Sequence, residues 1–110
     1  TLTGKYLGGQ MPQGSRLALF GDGPLMMRYK GDKTQQAIEM YVNLAKKYEI
    51  DPAQLAIQFC NVQPFVTSTI IGATTMEQLK TCIDSVDLDI TKEIMNEIRS
   101  IHKEIPNPAP

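Results

Sequence analysis

Tryptophan is absent from this chain, histidine occurs once, and the only two cysteines are Cys60 and Cys82. Neither cysteine belongs to a CxxC pair or to a Cys/His cluster of metal-ligand spacing, so no zinc site and no disulfide framework is expected. Two reduced thiols in a cytosolic protein fit this usage, and a cytoplasmic location is the expectation. Excess charge is missing too: 11 Lys and Arg face 12 Asp and Glu, with no basic block. Without the positive stripe that attracts phosphate backbones, nucleic acid is not expected as a partner. No tract approaches the roughly 18 uninterrupted apolar residues that would span a bilayer, so no membrane partner is expected. The chain also lacks an initiator methionine. It opens at Thr1, directly on a glycine-containing turn, and the natural protein is expected to begin further upstream.

What is present divides into three stretches. The first, residues 1–33, has no sustained period of either kind from Leu7 to Lys33, where glycine, proline and polar residues recur in LGGQMPQGSR and FGDGPLMMRYKGD. An irregular stretch of more than about 15 residues is either disordered or a functional flap. Residues 34–90 then become periodic. In TQQAIEMYVNLAKKYEI, Ala37, Tyr41, Leu44, Ala45 and Tyr48 fall on one helical stripe. Asp51 is placed to cap a second helix, with Pro52 at its first position and Gln54 completing a capping-box pattern. FVTSTII, from Phe65 to Ile71, is β-branched and apolar at both parities near its end, which predicts a strand covered on both faces. Gly72 ends it, Thr74 with Glu77 predicts another capping box, and Met76, Leu79 and Ile83 recur at helical spacing. In residues 91–110, Thr91 opens a last helix with Ile94, Ile98, Ile101 and Ile105 on one stripe, stopped by the proline-rich end IPNPAP.

A chain of 110 residues is the size of one small domain. Yet a doubly covered strand leaves costly unpaired backbone groups unless neighbouring strands flank it. One strand among four helices is a poor independent sheet, and a reasonable closing segment of a helix-wrapped barrel of about 250 residues. Pattern alone therefore favours a piece of a larger α/β fold.

Two segments could carry chemistry. In IIGATTMEQLKTCID a strand leads through Gly72 into a helix N-terminus. First-turn amides and the helix dipole favour an anion there, and the missing Cβ permits close approach. The same pattern also describes an ordinary capped turn. In TLTGKY, a glycine beside a lysine on a tight turn can present amides and an ammonium to a pyrophosphate. It is not a P-loop, because Tyr6 stands where Ser or Thr would follow the lysine. Taken alone, Lys5 reads equally as a solvated surface charge.

TLTGKY, MPQGSR, LAKKYEIDPAQLAIQF, PFVTSTIIGATTMEQLKTCID and IHKEIPNPAP together resemble the aldo-keto reductase superfamily, in particular its Tas-like branch related to voltage-gated potassium channel β subunits. The phrases occur in the family's order and spacing over essentially all 110 residues. The resemblance implies a C-terminal segment of a (β/α)8 TIM barrel, with residues 1–33 as the cofactor loop, 34–90 as helices and last strand, and 91–110 as C-terminal helix and tail. It implies NADP(H) as cofactor. Gly4 and Lys5 would lie at the pyrophosphate, with Thr3 adding an oxygen contact. Arg16 would face the 2′-phosphate or adenine, a task suited to a planar guanidinium. Gly72 and Thr74 would sit at the phosphate of the adenosine half, Gln78 would reach the adenosine, and Thr81 and Cys82 would meet the adenine edge. Relatives commonly place Asn where Cys82 stands, and a thiol cannot reproduce an amide's paired donor and acceptor.

The family's catalysis uses an Asp, a Tyr acid, a Lys and a His on earlier barrel strands, and none of those motifs is found here. Tyr6, Tyr29, Tyr41 and Tyr48 do not match the acid. His102 falls on the last helix and reads as structural or solvent-exposed. The resemblance thus implies part of an NADP(H)-dependent oxidoreductase that reduces a small-molecule aldehyde or ketone, inactive without the N-terminal remainder of the barrel. The other readings are an NADP(H)-binding regulatory subunit resembling a channel β subunit, and a free-standing helical interaction domain.

Overall fold

The computed structural model describes residues 1–21, 23 and 27–109. Asp22, Pro24, Leu25 and Met26 of the predicted loop, and Pro110 of the tail, lie outside the described residues. Five α-helices are described: α1 (Arg16–Phe20), α2 (Asp32–Lys47), α3 (Pro52–Asn61), α4 (Met76–Asp84) and α5 (Lys92–Glu104). Short 3-10 turns occupy Leu7–Gly9 and Ser85–Asp87.

The caps follow local chemistry. Asp51 Oδ1 accepts from the amides of Ala53 at 2.8 Å and Gln54 at 3.1 Å, with Pro52 opening α3. Gln54 does not reach back to complete a box. Its Nε2 donates instead to the Thr81 carbonyl at 3.2 Å, tying α3 to α4. Thr91 Oγ1 accepts from the Ile94 amide at 3.3 Å and starts α5. Between α2 and α3 the chain reverses at Glu49, whose φ is +57°. The Glu49 amide donates to the Lys46 carbonyl at 3.1 Å and the Ile50 amide to the Ala45 carbonyl at 2.9 Å. This is the Schellman pattern, with a glutamate where glycine is usual.

The core forms where α2, α3 and α5 meet. Leu44, Ala45, Leu55, Ile94, Ile98 and Ile101 are its buried members, and Tyr41, Tyr48, Ile50 and Phe59 pack against them. The predicted isoleucine stripe of α5 is buried throughout, Ile105 included. On α2 the buried face is wider than the predicted stripe, because Thr34, Ile38 and Val42 are buried as well. Residues 1–6 and the tail cover that second side.

Three expectations need correction. The stretch 7–33 is not wholly irregular, since Ser15 caps α1 by accepting from the Ala18 amide at 3.3 Å. The capping residue of α4 is Thr75, not Thr74: Thr75 Oγ1 accepts from the Gln78 amide at 3.1 Å, and Gln78 takes the part assigned to Glu77. Most important, Phe65–Ile71 is not a strand, and the described residues contain none. Phe65 is 80% exposed and Ile70 is 97% exposed. The physical reason is that a strand exists only through pairing, and no other extended segment among the described residues offers it a ladder. The α/β character is therefore unrealised in this chain, which is helical.

Candidate functional site

The first residues fold into a tight turn. The Gly4 amide donates to the Thr1 carbonyl at 3.1 Å, the Lys5 amide to Thr3 Oγ1 at 3.5 Å, and the Leu7 amide to the Gly4 carbonyl at 3.0 Å. Gly4 has φ +76°, and a Cβ there would stand 2.9 Å from Val42 Cγ2. Glycine is thus required both by the turn and by its approach to α2. Tyr6 is buried, and the Leu17 amide donates to its hydroxyl at 3.5 Å. Burial raises the Tyr6 phenol, but the Leu17 amide, the Ser15 hydroxyl and the Lys5 ammonium together hold it below the ordinary tyrosine value. Lys5 Nζ lies 5.1 Å from the Tyr6 ring centre, so the lysine is engaged locally.

At the other end of the predicted site, Thr74 donates through its amide at 3.0 Å and its hydroxyl at 3.1 Å to Gln78 Oε1. Thr81 Oγ1 donates to the Glu77 carbonyl at 3.1 Å. Gly72 is exposed with open space where a Cβ would stand. Among the described residues the cap leaves the amides of Met76 and Glu77 without an acceptor, though the Glu77 carboxylate in the same turn opposes an anion.

A groove of about 510 Å³ joins the two ends. Thr3 from the first turn, Gly72 from the irregular segment and Cys82 from α4 all border it, and α2 and α3 form its floor through Ala37, Ile38 and Ala56. Gly4, Lys5, Arg16, Thr74, Gln78 and Thr81 do not border it. Arg16 sits exposed at the first position of α1. A second groove of about 750 Å³, walled by Tyr6, Leu7, Met11 and Leu17, adjoins the first where Thr1 and Tyr29 border both. Together they form a long open trough beside the first turn. The first groove is mainly apolar, with polar atoms on Thr1, Thr3, Tyr29, Thr34, Tyr41 and Cys82, and the second is bordered also by Lys30, Asp32, Gln35, Gln36 and Glu39.

His102 and Cys60 lie elsewhere, around an apolar hollow of about 450 Å³ between α2, α3 and α5, where Tyr41, Leu55 and Phe59 also contribute. Burial pushes the Tyr41 phenol up. Thr34, Pro108 and Ala109 at the groove were missed by sequence reasoning. Nothing in their spacing distinguished them, because only tertiary packing brings the tail onto α2.

What fold and groove define is a helical assembly whose glycine turn and helix-leading segment converge on one trough. The aldo/keto reductase family profile matches residues 1–103. Over 110 residues the chain is 47% identical to Protein tas of Escherichia coli (strain K12), covering 100% of this chain and 31% of that protein. It is 36% identical over 105 residues to an aldo-keto reductase of Babesia bovis, covering 92% of this chain and 36% of that one. A probable voltage-gated potassium channel subunit beta of Oryza sativa subsp. japonica is 33% identical over 102 residues, 91% of this chain and 31% of the relative. The chain belongs to the aldo/keto reductase family. It spans about a third of the length of the curated relatives it matches. Membership implies a (β/α)8 barrel for the complete protein.

Proposed function

We propose that this chain is the C-terminal, cofactor-holding part of an NADP(H)-dependent reductase of aldehydes or ketones, completed by an N-terminal remainder that supplies the rest of the barrel and the catalytic side chains. The observation that carries the reading is the convergence of Thr3, Gly72 and Cys82 on one groove, since these residues lie far apart in sequence and belong to the two segments assigned to the cofactor. Gly4 and Lys5 follow Thr3 in the same turn. Thr74, Gln78 and Thr81 follow Gly72 at the start of α4, where the amides of Met76 and Glu77 suit a phosphate. The residues fit only part of such a group: the Met76 and Glu77 amides of α4 offer donors, whereas the Gly4, Lys5 and Leu7 amides already donate within the turn, Lys5 turns to Tyr6, and Arg16 stands outside the groove and would have to approach it from α1. Bound, the cofactor would supply a hydride to the carbonyl carbon. This chain's own residues would orient it and cover its phosphates.

The remainder of the barrel would also cover what the chain leaves bare. Phe65, Ile70 and Ile71 on the irregular segment, Met76 and Ile83 on α4 and Val86 in the turn after it are exposed apolar side chains in one stretch of sequence. Flanking strands would pair Phe65–Ile71 and bury that surface.

The test is aldehyde-dependent NADPH oxidation by the complete protein and by this chain purified without the upstream segment. Turnover is expected from the first and none from the second. Turnover by the chain alone would overturn the division of labour. The likeness to a channel β subunit favours one second reading, an NADP(H)-binding regulatory subunit. A complete protein that bound NADPH yet failed with a broad panel of carbonyls would support it.

A further inference from the structure

Native interiors rarely hold voids larger than a water molecule, yet the hollow of about 450 Å³ between α2, α3 and α5 opens against the core itself. Leu55 and Ile98, both buried core members, form part of its wall, with Phe59 and Cys60 beside them. Among the described residues no Asp, Glu, Lys or Arg borders it. Its polar side chains besides the Cys60 thiol are those of Tyr41, which is half-buried, and His102, which is exposed. The Tyr41 hydroxyl has no hydrogen-bond partner among the described residues, and burial alone acts on it. Leu2 closes one side and is 41% exposed. Its neighbours Thr1 and Thr3 border the groove and not the hollow. Side chains of an extended chain alternate between faces, so a strand running into Leu2 would aim the second and fourth residues before it where Leu2 points.

We propose that the hollow is the seat of the segment that runs into Leu2 in the complete protein, and that alternate apolar side chains of that segment fill it against Leu55, Phe59 and Ile98. The proposal rests on the reading that an N-terminal remainder completes this chain, and it names where that remainder first docks. The chain spans about a third of the length of the curated relatives it matches, so most of such a chain lies outside the structure. Leu2 already stands in the hollow's wall, so the segment joined to it reaches the seat with no long loop to close. The uncharged lining suits the apolar side chains of a covered strand and disfavours a charged ligand. Backbone carbonyls of the same segment would give the Tyr41 hydroxyl an acceptor.

The test uses the complete protein and reads the hollow at Cys60, which borders it and not the groove. Alkylation by iodoacetamide, resolved to the Cys60 peptide by mass spectrometry, should be at least roughly 100-fold slower in the native protein than in denaturant, because an occupied seat must open before the thiol reacts. Cys60→Leu should lower the thermal midpoint by about 1 to 4 °C, since added volume overpacks a filled site. Cys60→Ala, which adds no bulk, should lower it as well, since contacts with the segment are lost. Protection of Cys60 short of that factor, a midpoint raised or unmoved by Cys60→Leu, or a midpoint raised by benzene, as an open apolar cavity would give, overturns the proposal. Exchange of the Phe65–Ile71 amides in the same protein separates this idea from the reading beneath it. Slow exchange with a reactive Cys60 leaves the completed barrel standing and removes only the seat, whereas fast exchange with a reactive Cys60 removes both.

Discussion

At Glu49 a side-chain-bearing residue occupies the left-handed region because the reversal between α2 and α3 requires it. That conformation costs about 1 kcal/mol for any residue but glycine. Glu49→Gly should therefore raise stability of the complete protein by about 0.5 to 1 kcal/mol, read from the denaturation midpoint; a lower midpoint would mean the glutamate makes a contact that outweighs its backbone strain. Gly4 is the opposite case. Gly4→Ala meets both a positive φ and the Val42 side chain, and should destabilise by about 1 to 3 kcal/mol with weakened NADPH binding. For Arg16→Ala, the loss of NADPH affinity should exceed the loss of NADH affinity by roughly tenfold or more, as a charge-assisted contact to the 2′-phosphate implies. Equal losses in titration would remove Arg16 from phosphate recognition. Single residues were legible where the determinant was local. Asp51 and Thr91 cap as their spacing predicts, whereas Thr74 and Thr75 carry the same hydroxyl, and only the path of the chain into α4 decides between them.

Among the elements, α5 is the clearest product of pattern, since four isoleucines at helical spacing can be buried only on one side. Ile98→Ala should cost about 2 to 5 kcal/mol, depending on how far the site collapses. At the solvent edge of the same packing, Glu97 accepts from Lys47 Nζ at 2.8 Å and from the Tyr48 hydroxyl. The Glu97 hydrogen bond pushes the Tyr48 phenol from 10.0 up to about 12 and raises Lys47, while Lys47 and Tyr48 lower Glu97. A tyrosine raised on folding stabilises fully below its unfolded value. The contribution fades as pH rises from about 10 through about 12, where the folded protein also releases the proton. Tyr48→Phe should reduce the alkaline loss of stability. Glu97→Gln should reduce it further, because Lys47 then loses its partner as well. Denaturation curves at neutral and alkaline pH check both, and an unaltered pH slope in each variant would show that the cluster contributes nothing. The segment Phe65–Ile71 marks the limit of pattern. Its β-branched residues express a preference that only neighbouring strands can realise.

For the molecule as a whole, the exposed apolar segment and the open trough belong together. On the proposed reading, flanking strands of a complete barrel would cover the segment, and the trough would hold the cofactor. In the complete protein the amides of Phe65–Ile71 should exchange slowly, and in this chain alone they should exchange near the unprotected rate. Fast exchange in both would remove the proposed strand. The amino-acid sequence by itself determined α2 to α5, the caps of α3 and α5, the buried stripe of α5 and membership of the aldo/keto reductase family, because these rest on contacts between residues near each other in the chain or on the order of whole phrases. Only the tertiary structure decided that Thr3, Gly72 and Cys82 share a groove, that Lys5 turns to Tyr6, that Arg16 stands apart and that Thr34 meets Pro108. Those relations join residues separated by long stretches of chain, and they depend on how α2, α3 and α5 pack, which no local periodicity encodes.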